Sequence, residues 1–223
     1  MRTILALFMV CVMIILIQCG QQATLSLDKT TVAPGAEVVV SFTAGAGFKD
    51  NAWIGIIPSD VPHGDESTND EHDLVYKYLE NKTEGTFTFM VPGQVGSYDF
   101  RMHDTDQDGK EVVSASFTVK LFKEGATLKL DKETYSVGEE IRVTFTAPAE
   151  WGAGAWVGII PSDVPHGKED ENDQHDIAYR YLEKKTEGLL TFKAPKEKGK
   201  YDIRMHDTDN NGNEITSVSF QVK

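Results

Sequence analysis

Three aspartates at alternate positions in the middle of the chain are the residues whose type and spacing most directly suggest chemistry. Asp104, Asp106 and Asp108 are separated by single polar residues and followed by a glycine. Calcium-binding loops use this arrangement, because oxygen ligands at alternate positions and a sharp glycine turn let the backbone wrap the ion. Glu111 follows and offers a further carboxylate. The segment predicts a Ca²⁺ site, and Ca²⁺ is the cofactor that the sequence suggests.

The same segment recurs 103 residues further along the chain, with equivalents Asp207, Asp209, Asn211 and Glu214. A competing interpretation needs no ion, since Asp-Gly and Asn-Gly are preferred two-residue turns of β-hairpins. A full calcium loop of the helix-loop-helix type also requires a bidentate glutamate at its twelfth position, whereas Ala115 and Val218 stand there. A bare hairpin and a calcium-occupied hairpin therefore both remain open.

A second candidate site lies in an acidic loop, where histidine and aspartate side chains recur together. Imidazole nitrogens and carboxylate oxygens are ligands that transition metals accept. The candidate ligands are Asp60, His63, His72 and Asp73 and, in the later repeat, Asp163, His166, His175 and Asp176. The spacing of the two histidines matches no standard metal motif, so a solvated loop and a recognition surface stay open as alternatives.

The residues of this loop do not predict catalysis. Ser59, Asp60 and His63 are the residue types of a hydrolytic triad, but such triads are assembled from separate chain segments, and these three share one loop. The sequence also lacks a Gly-x-Ser-x-Gly elbow and a glycine-rich phosphate loop before a helix. We therefore interpret the protein as a non-enzyme, with a hydrolase subunit as the less favoured alternative.

The candidate residues occur twice because the chain contains an internal duplication. Residues 24–120 align with residues 127–223 without a gap, and 57 of the 97 aligned positions are identical. A unit of about 100 residues is long enough to bury its own core. We place the first domain at 24–121, a linker too short for a flexible spacer at 122–126, and the second domain at 127–223.

Within each copy apolar residues alternate with polar ones, which is the pattern of strands with one buried face. Glycine-containing turns separate the runs, and helix signals are absent. The first copy predicts seven strands, at 24–29, 37–43, 52–57, 73–80, 86–91, 97–103 and 111–119. Seven short strands fit an immunoglobulin-like sandwich, so the fold class is all-β with two such β-sandwich domains in tandem.

The three tryptophans are expected to differ in burial. Trp53 and Trp156 occupy the third strand of each sandwich, where a tryptophan is usually part of the core. Trp151 has no tryptophan partner in the first copy, because Phe48 stands at the equivalent position. We expect Trp151 to lie in a loop as an exposed aromatic residue.

The pattern of each copy resembles the SKICH-type immunoglobulin-like domain. The resemblance rests on the strand Ala52–Ile56, the tyrosine pair Tyr76 and Tyr78, and the strand Tyr98–Arg101 that runs into Asp106–Gly109. It covers most of each copy and implies the sandwich fold. Eukaryotic members of that family act as interaction or membrane-targeting modules, and the long acidic loop departs from them, so the resemblance implies no specific function.

The N-terminus predicts export and lipid anchoring. One basic residue precedes an apolar run at 4–17, which is the pattern of a signal peptide and too short for a membrane span. The run ends at Leu16-Ile17-Gln18-Cys19, which resembles the lipobox of bacterial lipoproteins. That resemblance implies a signal peptide at 1–18, acylation of Cys19, a tether at 19–23, and a membrane-anchored lipoprotein of the bacterial cell envelope.

The charge balance limits the partners. Lys and Arg number 22 and Asp and Glu 35, giving a formal net charge of −13. An anionic surface repels phosphate backbones, so nucleic acid is excluded as a partner. The sequence favours a lipid-anchored cell-surface binding module that contacts the membrane through its lipid and binds an unknown protein or glycan. A calcium- or metal-binding accessory lipoprotein is the alternative.

Overall fold

The computed structural model describes residues 22–45 and 47–223, and each copy forms two β-sheets packed face to face. In the first copy the three-stranded sheet has the order β1-β3-β6 and the five-stranded sheet the order β2-β8-β7-β4-β5. The elements are β1 (Thr24–Leu27), β2 (Thr31–Val32), β3 (Glu37–Thr43), β4 (Trp53–Pro58), α1 (Glu66–Asp70), β5 (Val75–Tyr78), β6 (Glu84–Met90), β7 (Gly96–His103) and β8 (Glu111–Val119).

The second copy repeats this architecture with sheet orders β9-β11-β14 and β10-β16-β15-β12-β13. Strand pairs are antiparallel except β2 with β8 and β10 with β16, which are parallel. The elements are β9 (Thr127–Leu130), β10 (Thr134–Tyr135), β11 (Glu140–Thr146), β12 (Trp156–Pro161), α2 (Glu169–Asp173), β13 (Ala178–Tyr181), β14 (Glu187–Lys193), β15 (Gly199–His206) and β16 (Glu214–Val222). The all-β, immunoglobulin-like fold class is thereby confirmed.

Two details differ from the sequence-based expectations. Each copy has eight strands rather than seven, because the two residues of β2 pair with β8 before the chain crosses to the other sheet. Each copy also contains a helix of five residues, α1 and α2, where no helix was expected. A single turn is too short to show helical periodicity. Asp65 caps α1, since its side chain accepts a hydrogen bond from Ser67 N at 3.2 Å.

The core between the sheets comes from the alternating apolar residues of both sheets. Val38, Val40 and Phe42 of β3 are at most 3% exposed, and Ile54 and Phe100 of the facing sheet are fully buried. The described residues contain no cysteine, because Cys11 and Cys19 both lie outside them. Apolar burial of this kind, about 25 cal/mol per Å², therefore has to hold each sandwich together.

A second apolar layer covers the outer face of the five-stranded sheet. The segment 58–72 crosses that face, and Trp53, Ile57 and Val61 form a buried cluster beneath it. Gly55 leaves room for the indole, because a Cβ at this position would lie 2.5 Å from Trp53 Cζ3. The expected burial of Trp53 and Trp156 is confirmed, at 1% exposure each. Both pack under the loop, outside the inter-sheet core where we expected them.

A fully buried arginine fixes the path of this loop. Arg101 donates to the carbonyl oxygens of Val61 (2.9 Å) and Pro62 (3.1 Å) and to Asn69 Oδ1 (2.5 Å). It also forms an ion pair with Asp99 at 2.9 Å. Hydrogen bonds from a charged donor are shorter and stronger than those between neutral groups. In the second copy Arg204 makes the same set of contacts, to Val164, Pro165, Asn172 and Asp202.

The two copies contact each other through the β15–β16 hairpin of the second. A Cβ at Gly93 would lie 1.7 Å from the Asn210 carbonyl oxygen, so the hairpin lies directly on the first copy at this glycine. Asp207 and Thr208 are 0% and 3% exposed. Trp151 is also buried at the junction and donates to the Phe122 carbonyl at 2.9 Å. The expectation that Trp151 is exposed was wrong, because it depended on contacts between copies that the loop sequence does not show.

Replacing Gly93 with lysine, the residue at the equivalent position 196 of the second copy, should separate the copies. The new Cβ would overlap the Asn210 carbonyl, and relieving such overpacking typically costs about 1–3 kcal/mol. We expect a larger radius of gyration in small-angle X-ray scattering. Lys196→Gly is the control, since this exposed residue should leave the radius unchanged. An unchanged radius for Gly93→Lys would contradict the docking.

Acid should destabilise the protein through two buried histidines. His103 is 0% exposed and stacks on Trp53 at 4.2 Å, and neither ring nitrogen has a hydrogen-bond partner. Burial lowers the pKa of His103 to about 4. The positive charge of Arg101 adds to this shift, whereas the negative charges of Glu111 and Asp104 oppose it. Burial likewise lowers the pKa of His206 to about 3.

Because these pKa values are lowered in the folded state, the unfolded chain takes up protons first. The stability gained by keeping the buried histidines neutral is complete above pH 6.5 and is lost as the pH falls toward about 4. The double variant His103→Phe, His206→Phe keeps the ring stacks without a titrating group. Its unfolding free energy in urea should vary less between these pH values than that of the wild type. His72→Gln, an exposed control, should retain the wild-type slope.

Candidate functional site

Three carboxylates that are distant in sequence meet where the outer loop passes the β7–β8 hairpin. We call Glu66, Asp70 and Asp106 the acidic trio, because one oxygen from each lies within 4.8 Å of the other two. Glu66 and Asp70 are four residues apart on α1 and so lie on one face of the helix. The hairpin supplies Asp106. The equivalent trio of the second copy is Glu169, Asp173 and Asp209.

The acidic trio carries negative charge that no cation neutralises. Among the described residues no lysine, arginine or histidine nitrogen lies within 4.0 Å of these carboxylates. Glu66 is 3% exposed, and burial raises its pKa, with the charges of Asp70 and Asp106 adding to the shift. Burial and then Asp209 raise the pKa of Glu169 to about 7.

An exposed aromatic stripe runs beside the acidic trio. Leu74 directly precedes the edge strand β5, and Tyr76 and Tyr78 lie on it; the three side chains are 54%, 47% and 37% exposed. We call these residues the tyrosine stripe. The Tyr76 and Tyr78 rings meet edge to face at 5.3 Å, and Tyr78 Oη donates to Asp106 Oδ2 at 2.6 Å. The equivalent stripe of the second copy is Ile177, Tyr179 and Tyr181, and Tyr181 donates to Asp209.

The structure does not bring the predicted calcium ligands of the first copy together. No three of the carboxylates of Asp104, Asp106, Asp108 and Glu111 approach one another within 4.8 Å. Asp104 accepts the backbone N–H of Lys110 at 2.9 Å, which closes the hairpin. Asp108 has a φ of 52° and forms the turn itself. Glu111 faces away and accepts from Gly64 N at 3.1 Å.

The equivalent set in the second copy is divided in the same way. Asp207 accepts the backbone N–H of Asn213 at 2.8 Å, and Asn211 forms the turn with a φ of 51°. Glu214 pairs with His166 and lies 3.6 Å from Arg204. Asp209 alone joins a carboxylate cluster. The structure therefore does not gather these side chains at one point, because the segment is a tight turn in which Asp207 is engaged by the backbone and Asn211 takes a positive φ.

The second predicted ligand set, Asp60, His63, His72 and Asp73, is also divided. His63 Nδ1 hydrogen-bonds Glu111 Oε1 at 2.7 Å, and His72 Nδ1 hydrogen-bonds the Thr68 carbonyl at 2.8 Å. Asp60 is exposed, and among the described residues no three of these four groups meet. Asp73 lies beside the acidic trio instead, where burial and then the charges of Asp70 and Asp106 raise its pKa.

The corresponding residues of the second copy, Asp163, His166, His175 and Asp176, follow the same division. His166 Nδ1 hydrogen-bonds Glu214 at 2.6 Å, and His175 Nδ1 hydrogen-bonds the Glu171 carbonyl at 2.8 Å. Asp176 faces the second acidic trio, because burial and then Asp173 and Asp209 raise its pKa. The histidines of both copies therefore hold the loop in place.

Sequence reasoning missed Glu66 and Asp70 as partners of Asp106. One signal was available, since the aspartate at 65 is a helix N-cap residue and the two carboxylates follow it with a four-residue spacing. Tyr76 and Tyr78 enter the sequence argument only through the family resemblance, although their spacing places both on one face of a strand.

Among the described residues no helix is both long and apolar enough to span a membrane. The predicted signal peptide at 1–18 and the predicted lipidation site Cys19 lie outside the described residues. Most of the predicted tether at 19–23 lies outside them as well.

Known proteins resemble this chain at low sequence identity and low TM-score. No family model matches the chain, and no curated protein matches it. A purple acid phosphatase from yellow lupin aligns with TM-score 0.43 and 11% identity over 89% of this chain and 41% of the phosphatase. The Escherichia coli adhesin FdeC aligns with TM-score 0.33 and 13% identity over 91% of this chain and 64% of the adhesin. The FN1-FN3 domains of chicken CNTN1 align with TM-score 0.36 and 10% identity over 92% and 68% of the two chains.

This chain spans less than two thirds of the length of the phosphatase and of the adhesin. Similarities at these identities and TM-scores assign neither activity nor partner.

Proposed function

We propose that the protein is a non-catalytic binding module of the bacterial cell surface, and that each copy binds a protein partner through its tyrosine stripe. The observation that carries the proposal is the exposure of Tyr76 and Tyr78 on an edge strand, repeated by Tyr179 and Tyr181. Large exposed aromatic residues in a contiguous stripe typically mark an interaction surface.

The tyrosine stripe is held in a fixed conformation, which favours binding. Tyr76 meets the buried Trp53 ring edge to face at 6.1 Å, and the Tyr78 hydroxyl is fixed by Asp106. Side chains that are already ordered lose little conformational entropy when a partner binds. Tyrosine also offers an apolar ring and a polar hydroxyl, which suits a surface that is exposed before binding.

The surrounding charge favours a partner with a basic surface. The acidic trio lies directly beside the stripe and has no paired cation among the described residues, and the whole chain carries a formal charge of −13. Complementary potentials accelerate encounter and fix orientation. Lysine and arginine side chains of a partner can contact the carboxylates while apolar side chains pack on the tyrosines.

The position of β5 offers backbone contacts as well. β5 and β13 are the last strands of their five-stranded sheets and pair on one side, with β4 and β12 respectively. The unpaired backbone groups of an edge strand can accept an added strand from another chain. An extended basic segment of a partner would thus contact both the edge and the tyrosine stripe.

The proposed location follows from the N-terminal sequence. A signal peptide at 1–18 would export the chain, and acylation of Cys19 would anchor it in the cell envelope. More than one acyl chain is needed for stable anchoring, as lipidated cysteines of this kind provide.

A photo-crosslinking residue at position 179 should form adducts with a partner on intact cells. Position 189 is the control, because Leu189 is 57% exposed, against 44% for Tyr179, and lies on the three-stranded sheet of the same copy. We expect a discrete protein adduct from position 179 and none from position 189, detected by mass spectrometry. Equal labelling from both positions, or adducts with glycan alone, would contradict the proposal.

Cys19→Ala should release the protein from membranes or block its processing. The thiol that would carry the acyl chains is then absent, so fractionation of cells should move the protein from the membrane to the soluble fraction or retain the unprocessed form. Cys11→Ala is the matched control and should keep membrane association. Identical fractionation and migration of Cys19→Ala and the wild type would exclude lipid anchoring at this residue.

A further inference from the structure

We propose that the acidic trio of each copy binds one divalent cation of the calcium class. The proposal deepens the binding function above, because the ion would lie next to the tyrosine stripe. It is tested with Ca²⁺ alone, without any partner. Loss of partner binding and loss of ion binding are therefore separate results, and either proposal can fail while the other holds.

The oxygen positions of the trio suit the size of the ion. Ca²⁺ binds oxygen at about 2.3–2.6 Å, so ligands on one ion lie up to roughly 5 Å apart. Glu66, Asp70 and Asp106 each place an oxygen within 4.8 Å of the other two, and the second trio does the same. Mg²⁺ at about 2.0–2.1 Å needs a tighter and nearly ideal octahedron, which favours Ca²⁺.

Two unpartnered buried groups directed at the trios provide independent support. The Trp53 indole is 1% exposed and directed at the Glu66 carboxylate, but no acceptor reaches its Nε1 at normal hydrogen-bond distance and angle. Nε1 of the equally buried Trp156 also lacks such an acceptor. In the second copy Asp176 Oδ2 is buried without a partner, beside Asp173 and Asp209. A bound ion would engage the free aspartate oxygen and fix the glutamate so that it accepts the indole N–H.

The burial of Glu66 also favours a bound cation. Carboxylates that are removed from water are normally paired with a cation or coordinated to a metal. Glu66 is 3% exposed and has no cationic side-chain nitrogen within 4.0 Å among the described residues, and Glu169 is in the same position. A divalent ion at the trio would neutralise this charge.

The ligand chemistry selects the class of ion. All trio ligands are carboxylate oxygens, and His63 and His72 are engaged elsewhere, so nitrogen and sulfur ligands that favour zinc or copper are missing from the trio. Tyr78 donates to Asp106 Oδ2 and leaves the other oxygen free for the ion. Asp73 is the neighbouring carboxylate that can supply a fourth ligand, and water completes the coordination of Ca²⁺.

Equilibrium dialysis of the purified full chain against ⁴⁵Ca²⁺ tests the proposal. We expect two ions per chain, with Kd in the extracellular range of roughly 10⁻⁴–10⁻³ M. Asp70→Asn should weaken the first site about tenfold or more and Asp173→Asn the second, because each removes one ligand charge. The double variant should bind Ca²⁺ about tenfold or more weakly at both sites.

Asp108→Asn is the matched control, since it makes the same charge change at an exposed residue of the same hairpin outside the trio. It should still bind two ions. Circular dichroism of each variant should match the wild type, because Asp70 and Asp173 are exposed. No Ca²⁺ binding by the wild type, wild-type affinity at both sites of the double variant, equal loss in Asp108→Asn, or displacement of Ca²⁺ by equimolar Mg²⁺ would each overturn the proposal.

Discussion

The buried guanidinium of Arg101 is the constraint on which the outer half of each domain depends. It satisfies two loop carbonyls and Asn69 of α1, while Asp99 beside it on β7 balances its charge. Burial alone would raise the pKa of Asp99, but hydrogen bonds from Ser116 and Arg101 outweigh it and leave the pKa lowered. Removing one partner of such a buried pair typically costs about 3–5 kcal/mol, because the other charge is left unpaired.

The hydrogen bonds of Arg101 also position the candidate site. Asn69 lies on α1 between Glu66 and Asp70, so the bond from Arg101 to Asn69 sets the position of the helix and of both carboxylates. His63 adds a second tie by bonding Glu111 at the start of β8. The hairpin that carries Asp106 joins β7 to β8. The same two strands therefore fix the positions of both the helix and the hairpin. A rigid sheet thus supports a site built from two loops.

Duplication has given the two copies the same site but different surroundings. The β15–β16 hairpin of the second copy is buried against the first near Gly93, whereas the equivalent hairpin of the first copy is partly exposed. Lysine at position 196 replaces the glycine that accepts the hairpin. Both tyrosine stripes remain exposed in this arrangement.

The sequence by itself determined the repeat, the alternating strands and the all-β sandwich. The alternation of apolar and polar residues and the turn residues are local patterns that can be recognised directly in the sequence. It also identified the acidic hairpins and the His-Asp loop as unusual. Only the tertiary structure decided which of these residues meet. Asp106 meets Glu66 and Asp70 rather than Asp104, Asp108 and Glu111, and the histidines hold the loop. The physical reason is that Arg101 fixes the loop through residues 32 to 40 positions away, and such distant contacts leave no periodic trace in the sequence.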